Sequence, residues 1–82
     1  MASSEEIITM IETTMDMNFN NRENIASSKL IDLGLDSLDC LEFLYLVQDK
    51  YDFNIKSDQY NSFMNYSPEN IAEIINSKFQ PN

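Results

Sequence analysis

The sequence predicts an all-α fold: a small four-helix bundle, three main helices plus one short helix, with a long first loop. Three observations predict it. Apolar residues recur at i, i+3 and i+4 steps in three separate stretches, as on the buried face of a helix. Helix-start signals precede those stretches, at Ser3, at Asp36 or Ser37, and at Ser67-Pro68. No segment alternates apolar with polar residues in the manner of a half-buried strand. At 82 residues the chain is one domain, residues 1–82, with a modest core and little room for a catalytic pocket.

Ser3 and Glu6 form a capping-box pattern ahead of Ile7, Ile8, Ile11 and Met15, which predicts a first helix from Ser4 to Asp16. Met10 and Met15 read as core filler. Met17 to Leu35 reads as a long connection. Asn18, Asn20, Asn21 and Asn24 are poor helix formers, and Arg22-Glu23 adds no periodicity. Ile25 and Leu30-Ile31 are expected to pin this loop to the core. A loop of such length in so small a domain has a purpose, and this one delivers the chain to Gly34, its only glycine. Gly34 supplies a turn that other residues resist.

The second helix is expected from Ser37 to Tyr51, with two apolar faces. Cys40, Phe43, Leu44, Val47 and Tyr51 share one side and make the core stripe. Leu38, Glu42, Tyr45 and Asp49 fall nearly opposite, flanked by Asp39 and Leu41. An outward stripe that alternates apolar with acidic residues reads as an interface with apolar anchors and charged guides. The bland alternative is that the long loop or a neighbouring helix covers Leu38, Leu41 and Tyr45. Asp52 to Tyr66 is irregular in pattern. Ile55 is expected to be buried, and Asp58 to Phe63 to form the short helix with Tyr60 and Phe63 inward. The last helix has Ser67 as cap, Pro68 at its first position and Glu69 in its first turn. Ile71, Ile74, Ile75 and Phe79 form its apolar stripe, and Pro81 follows it.

Composition narrows the chemistry. Fourteen carboxylates face five basic residues, a net charge of −9, so the chain repels a nucleic-acid backbone and attracts proteins with basic docking surfaces. There is no histidine, and one cysteine makes neither a disulfide nor a zinc site. Calcium-loop spacing fails from Asp32, Asp36 and Asp49 alike. Asp36 and Asp39 read as helix-start carboxylates, and Cys40, on the core stripe, as a small buried hydrophobe. The sequon Asn65-Tyr66-Ser67 reads as chance. No apolar run has membrane-spanning length, and the first six residues lack the basic and apolar regions of a signal peptide. The expectation is a cytoplasmic monomer.

That leaves Ser37. A serine after a tight turn, at a helix start, is accessible and lies in a field that favours an attached phosphate. Base rates alone would make it an ordinary N-cap, yet Asp36 already offers a cap. The stretch Asp32-Leu33-Gly34-Leu35-Asp36-Ser37-Leu38-Asp39, followed by Leu41-Glu42, resembles the phosphopantetheine attachment site of acyl carrier proteins. Chain length, acidity, the long first loop and the helix order resemble that family too.

The resemblance implies a non-catalytic carrier with the family's four-helix bundle. Ser37 would hold 4′-phosphopantetheine, transferred from coenzyme A by a phosphopantetheinyl transferase (holo-carrier synthase). Asp36 would help hold that enzyme's magnesium. The terminal thiol would carry acyl groups as thioesters, for fatty-acid, lipid or polyketide-type biosynthesis. Leu38, Asp39, Leu41, Glu42, Tyr45 and Asp49 would meet the acyl-loading and acyl-processing enzymes. The acyl chain would enter among Phe43, Leu44, Val47, Ile55, Phe63 and Ile71. The chain departs from fatty-acid-synthesis carriers at Gln48 and at Lys56 to Asn61, which favours a specialised pathway over housekeeping. Leu35 stands where peptidyl carriers usually have a second glycine. Two other readings of the same residues are a helical protein-interaction adaptor without a prosthetic group, and phosphorylation at Ser37.

Overall fold

Ser3 opens the first helix, α1 (Ser4–Met15), in extended backbone with its hydroxyl accepting from the Glu6 amide at 3.2 Å. The reciprocal arm differs from a capping box. The Ser3 hydroxyl also donates to the Glu6 carboxylate at 3.3 Å, so the two side chains meet each other. The computed structural model describes residues 2–52 and 62–79, with backbone alone at 78 and 79. In those residues the regular structure is entirely helical. After α1 come α2 (Arg22–Ala26), a 3₁₀ turn (Leu30–Leu33), α3 (Ser37–Tyr51), a second 3₁₀ turn (Phe63–Asn65) and α4 (Pro68–Phe79).

The three main helices start as the sequence predicts. Helix α1 stops one residue earlier than expected, because Asp16 takes the left-handed conformation (φ 53°) and its amide bonds the Glu12 carbonyl. Asp52 ends α3 in the same way (φ 52°). Helix α4 is opened by Ser67, whose hydroxyl accepts from the Asn70 amide while its own amide donates to Asn70 Oδ1. Buried Ser67 thus has both its hydroxyl oxygen and its amide hydrogen-bonded.

The connection Met17–Leu35 corrects the reading of a plain loop. It contains α2 and the first 3₁₀ turn. The asparagines that argue against a helix interior serve its start: Asn21 accepts from the Asn24 amide at 3.3 Å. Arg22 then fixes this short helix to α1. Its Nε donates to both Glu5 oxygens (3.0 and 2.8 Å), one terminal nitrogen to Glu12 (2.7 Å) and the other to Thr9 Oγ1 (2.9 Å). The other oxygen of Glu12 accepts from the Phe19 amide at 2.8 Å. A five-residue helix is marginal alone, and its tertiary anchors decide it. The short helix expected at Asp58 to Phe63 lies almost wholly outside the described residues, as do Ile55 and Tyr60. Phe63 is buried as expected.

Helix α1 packs against α4, α2 and α3, and the two 3₁₀ turns lie against each other. Ile7, Ile11, Leu30, Leu35, Phe43, Leu44, Val47, Phe63, Ile71 and Ile75 fill the space between them. Phe63 sits between Phe43 (centroids 6.4 Å apart) and the edge of Tyr66 (5.9 Å). Ala2 is tied to α4 by two bonds, its amide to Asn76 Oδ1 (2.8 Å) and its carbonyl from Asn76 Nδ2 (2.9 Å).

Candidate functional site

The core holds the approach to Ser37 from below. The Leu30 amide donates to the Tyr66 carbonyl at 2.9 Å, and the buried Leu30 side chain anchors the 3₁₀ turn. Gly34 ends that turn at φ 99°, its amide bonding the Ile31 carbonyl at 3.3 Å. A Cβ at Gly34 would touch nothing within 4 Å, so glycine is required there by backbone angle alone. The Leu35 amide then returns to the Leu30 carbonyl, and the Leu35 side chain is buried. The chain reverses against the core, and α3 starts immediately beyond.

Asp36 caps α3 reciprocally with Asp39. The Asp39 amide donates to Asp36 Oδ1 at 2.8 Å, and the Asp36 amide to Asp39 Oδ2 at 3.1 Å. Two of the four orphan donors at this helix start are thereby satisfied, which leaves the amides of Ser37 and Leu38. Ser37 is the first residue of α3, not its cap. It is exposed, and among the described residues its hydroxyl has no hydrogen-bond partner. The cap role that would compete for this oxygen is filled by its neighbour.

Cys40 has the opposite character. It is buried in the core beneath the helix start, and burial, with the Asp39 and Asp36 carboxylates nearby, pushes its thiol up to about 11. A thiol so placed stays protonated and unreactive at neutral pH. Tyr51, at the other end of the core stripe, is half-buried and donates to Glu6 Oε2 at 3.1 Å. Burial and that bond raise its hydroxyl to about 12.

The outward stripe of α3 is uncovered. Leu38 is 74% exposed, Tyr45 57% and Leu41 39%, so neither the loop nor a neighbouring helix among the described residues hides them. Glu42 and Asp49 are exposed beside them, while Asp39 is half-exposed with its carboxylate held in the cap. Among the described residues the ion pairs are those of Arg22 with Glu5 and Glu12, so Glu42 and Asp49 lack a cationic partner. Exposed apolar side chains of this size stand beside carboxylates that have no cationic partner among the described residues.

Sequence reasoning missed two members of the exposed apolar set. Ile31, placed with the loop's core anchors, is 47% exposed, and only Leu30 of that pair is buried. Leu46, unassigned by the two-stripe reading, is 42% exposed. At 100° per residue Leu46 falls between the two stripes, so the wheel gave the signal. Five of the six residues expected near an acyl chain, Phe43, Leu44, Val47, Phe63 and Ile71, are buried together in the core. The sixth, Ile55, lies outside the described residues.

Among the described residues no group of three or more cysteine or acidic side chains is placed to hold a metal ion, and no helix is long and apolar enough to cross a membrane. No family model, curated protein or solved structure matches the chain.

Proposed function

We propose that the chain is an acyl carrier protein, with Ser37 as the attachment point of a 4′-phosphopantetheine arm. One observation carries the reading: Ser37 is exposed at the first position of α3 and its hydroxyl has no partner among the described residues, while Asp36 and Asp39 do the capping. The motif around it and the acidic, apolar face beyond it support the same conclusion.

The site suits the group. Modification needs a serine oxygen that an external enzyme can reach and that no structural bond withholds. Two first-turn amides remain for phosphate oxygens, in the positive field of a helix N-terminus. In the loading step the Ser37 oxygen forms a bond to the phosphorus of coenzyme A's phosphopantetheinyl group. The pyrophosphate bond breaks, the adenosine 3′,5′-bisphosphate leaves with the electron pair, and the serine proton passes to a base on the transferase. The bound arm supplies a thiol for thioester chemistry. This chain's part is to tether, to present and to be recognised. In the resemblance, Asp36 helps hold the transferase's magnesium.

Glu42 and Asp49, with Leu38, Leu41 and Tyr45, are assigned to partner enzymes that bear basic docking surfaces. The reading is of a specialised carrier, on the departures at Gln48 and Lys56 to Asn61. The test is intact mass after incubation with coenzyme A and a broad-specificity phosphopantetheinyl transferase. Wild type is expected to gain one phosphopantetheine and Ser37→Ala none. A wild-type chain that gains nothing leaves the adaptor reading in its place.

A further inference from the structure

Helices α1 and α3 do not close fully upon each other. Between them runs a groove of about 560 Å³, along the C-terminal half of α3. Met10, Thr13 and Leu46 contribute its apolar surface, and Glu6, Asp49 and Lys50 its charge. Leu46 is the exposed large hydrophobic residue that the two-stripe pattern of α3 leaves without a task. On α1, the wall includes Glu5, Glu6, Thr9, Met10 and Thr13, which share one side at 100° per residue and leave the opposite side to Ile7 and Ile11. That wall spans about 12 Å of helix rise, room for roughly two turns of a partner helix.

We propose that this groove is a second docking site, whose occupant is a cationic amphipathic helix of a protein partner. Apolar side chains of the partner would enter between Met10 and Leu46, and its lysines or arginines would meet Asp49 and Glu6. The charges on the groove select this occupant. Of the three carboxylates on the groove, Glu5 is neutralised by Arg22, whereas Asp49 has no cationic partner among the described residues and Glu6 is held only by neutral hydroxyls. Lys50 offsets one charge, and the chain as a whole carries −9. An acidic or neutral helix would find the same apolar contact against an unfavourable field or none. Asp49 belongs both to the groove and to the outward stripe, so one basic partner would grip the two surfaces across it. The groove itself is independent of Ser37 modification.

The test uses the full chain, unmodified, with amphipathic peptides of one helical pattern: leucine with lysine, leucine with glutamine, and leucine with glutamate. Backbone amide shifts in NMR titrations report where each binds. The leucine–lysine peptide is expected to bind saturably, with shifts concentrated from Thr9 to Thr14 and around Leu46 to Lys50. Thr13→Arg and Leu46→Gln, both at exposed positions that tolerate change, are each expected to weaken it about tenfold. Leu38→Gln is expected to leave it unchanged. Shifts confined to the Leu38–Tyr45 face, spread over all carboxylates, or insensitive to both groove variants would overturn the proposal. Equal binding of the leucine–glutamate peptide would do so too. Concentration-dependent groove shifts without peptide would assign the surface to a second copy of the chain and equally overturn it.

Discussion

Gly34 and Ser37 lie three residues apart and answer to different forces. Gly34 is fixed by conformation: its φ of 99° is strained for any side chain, and a Cβ there would meet no neighbour. Gly34→Ala is therefore expected to cost about 1–2 kcal/mol in urea unfolding, with Gly34→Asn recovering part of the loss. Equal stability of the alanine variant would mean the turn relaxes. Ser37 carries no structural duty, so Ser37→Ala is expected to shift stability by less than about 0.5 kcal/mol. Asp36→Ala, which removes the cap, is expected to cost about 1 kcal/mol. The reverse order in the same measurement would return Ser37 to the role of an ordinary cap. Cys40 belongs to the core by burial, and its raised thiol removes it from the chemistry.

At the scale of elements, Arg22 and Glu12 decide whether the first connection is a loop or a structured strap. Glu12 is held below the ordinary carboxylate range, by the Arg22 bond first and the Phe19 amide second. A carboxyl depressed in the folded state stabilises fully above its unfolded value and loses that contribution as the pH falls through its folded one. Acid should thus weaken wild type more than Glu12→Gln, below a pH of about 4. Parallel melting curves for the two chains down to pH 2 would contradict this.

The same connection shows what the sequence leaves unreadable. Three helices were legible because each has a cap followed by a repeating apolar stripe, a signal local in the chain. Helix α2 is too short to show a period, and Arg22 finds Glu5 and Glu12 across 17 and 10 residues. Helix propensity counted the asparagines against it, although Asn21 caps it. At the candidate site, the helix start at Asp36–Ser37 and the stripe from Leu38 to Asp49 could be read from spacing on one helix, whereas the choice of Ser37 rests on the resemblance of its motif. The exposure of Ile31 could not, because a 3₁₀ turn that buries Leu30 and turns out its neighbour follows no helical period. The groove beside Leu46 could not either, since it depends on how α1 meets α3.

Among the described residues, charge and exposed apolar surface are distributed unevenly. Helix α3 presents Leu38, Leu41 and Tyr45 beside Glu42 and Asp49, while the cationic Arg22 is consumed in holding α2 to α1. A basic transferase should therefore dock faster at low salt and more slowly as salt screens the field. Glu42→Lys is expected to raise KM for pantetheinylation about fivefold, near 1 kcal/mol, with kcat little changed and a flatter salt dependence. Unaltered KM and an unaltered salt slope would remove Glu42 from the docking surface.

The proposed division between a tether and a recognition face rests on where a phosphopantetheine arm would be attached. Site-resolved mass spectrometry of the chain after loading from coenzyme A measures this directly. Phosphopantetheine is expected on the Ser37 oxygen and on no other serine. Its attachment to another residue, or its absence from a fully folded wild-type chain, would contradict the assignment of Ser37 as the tether.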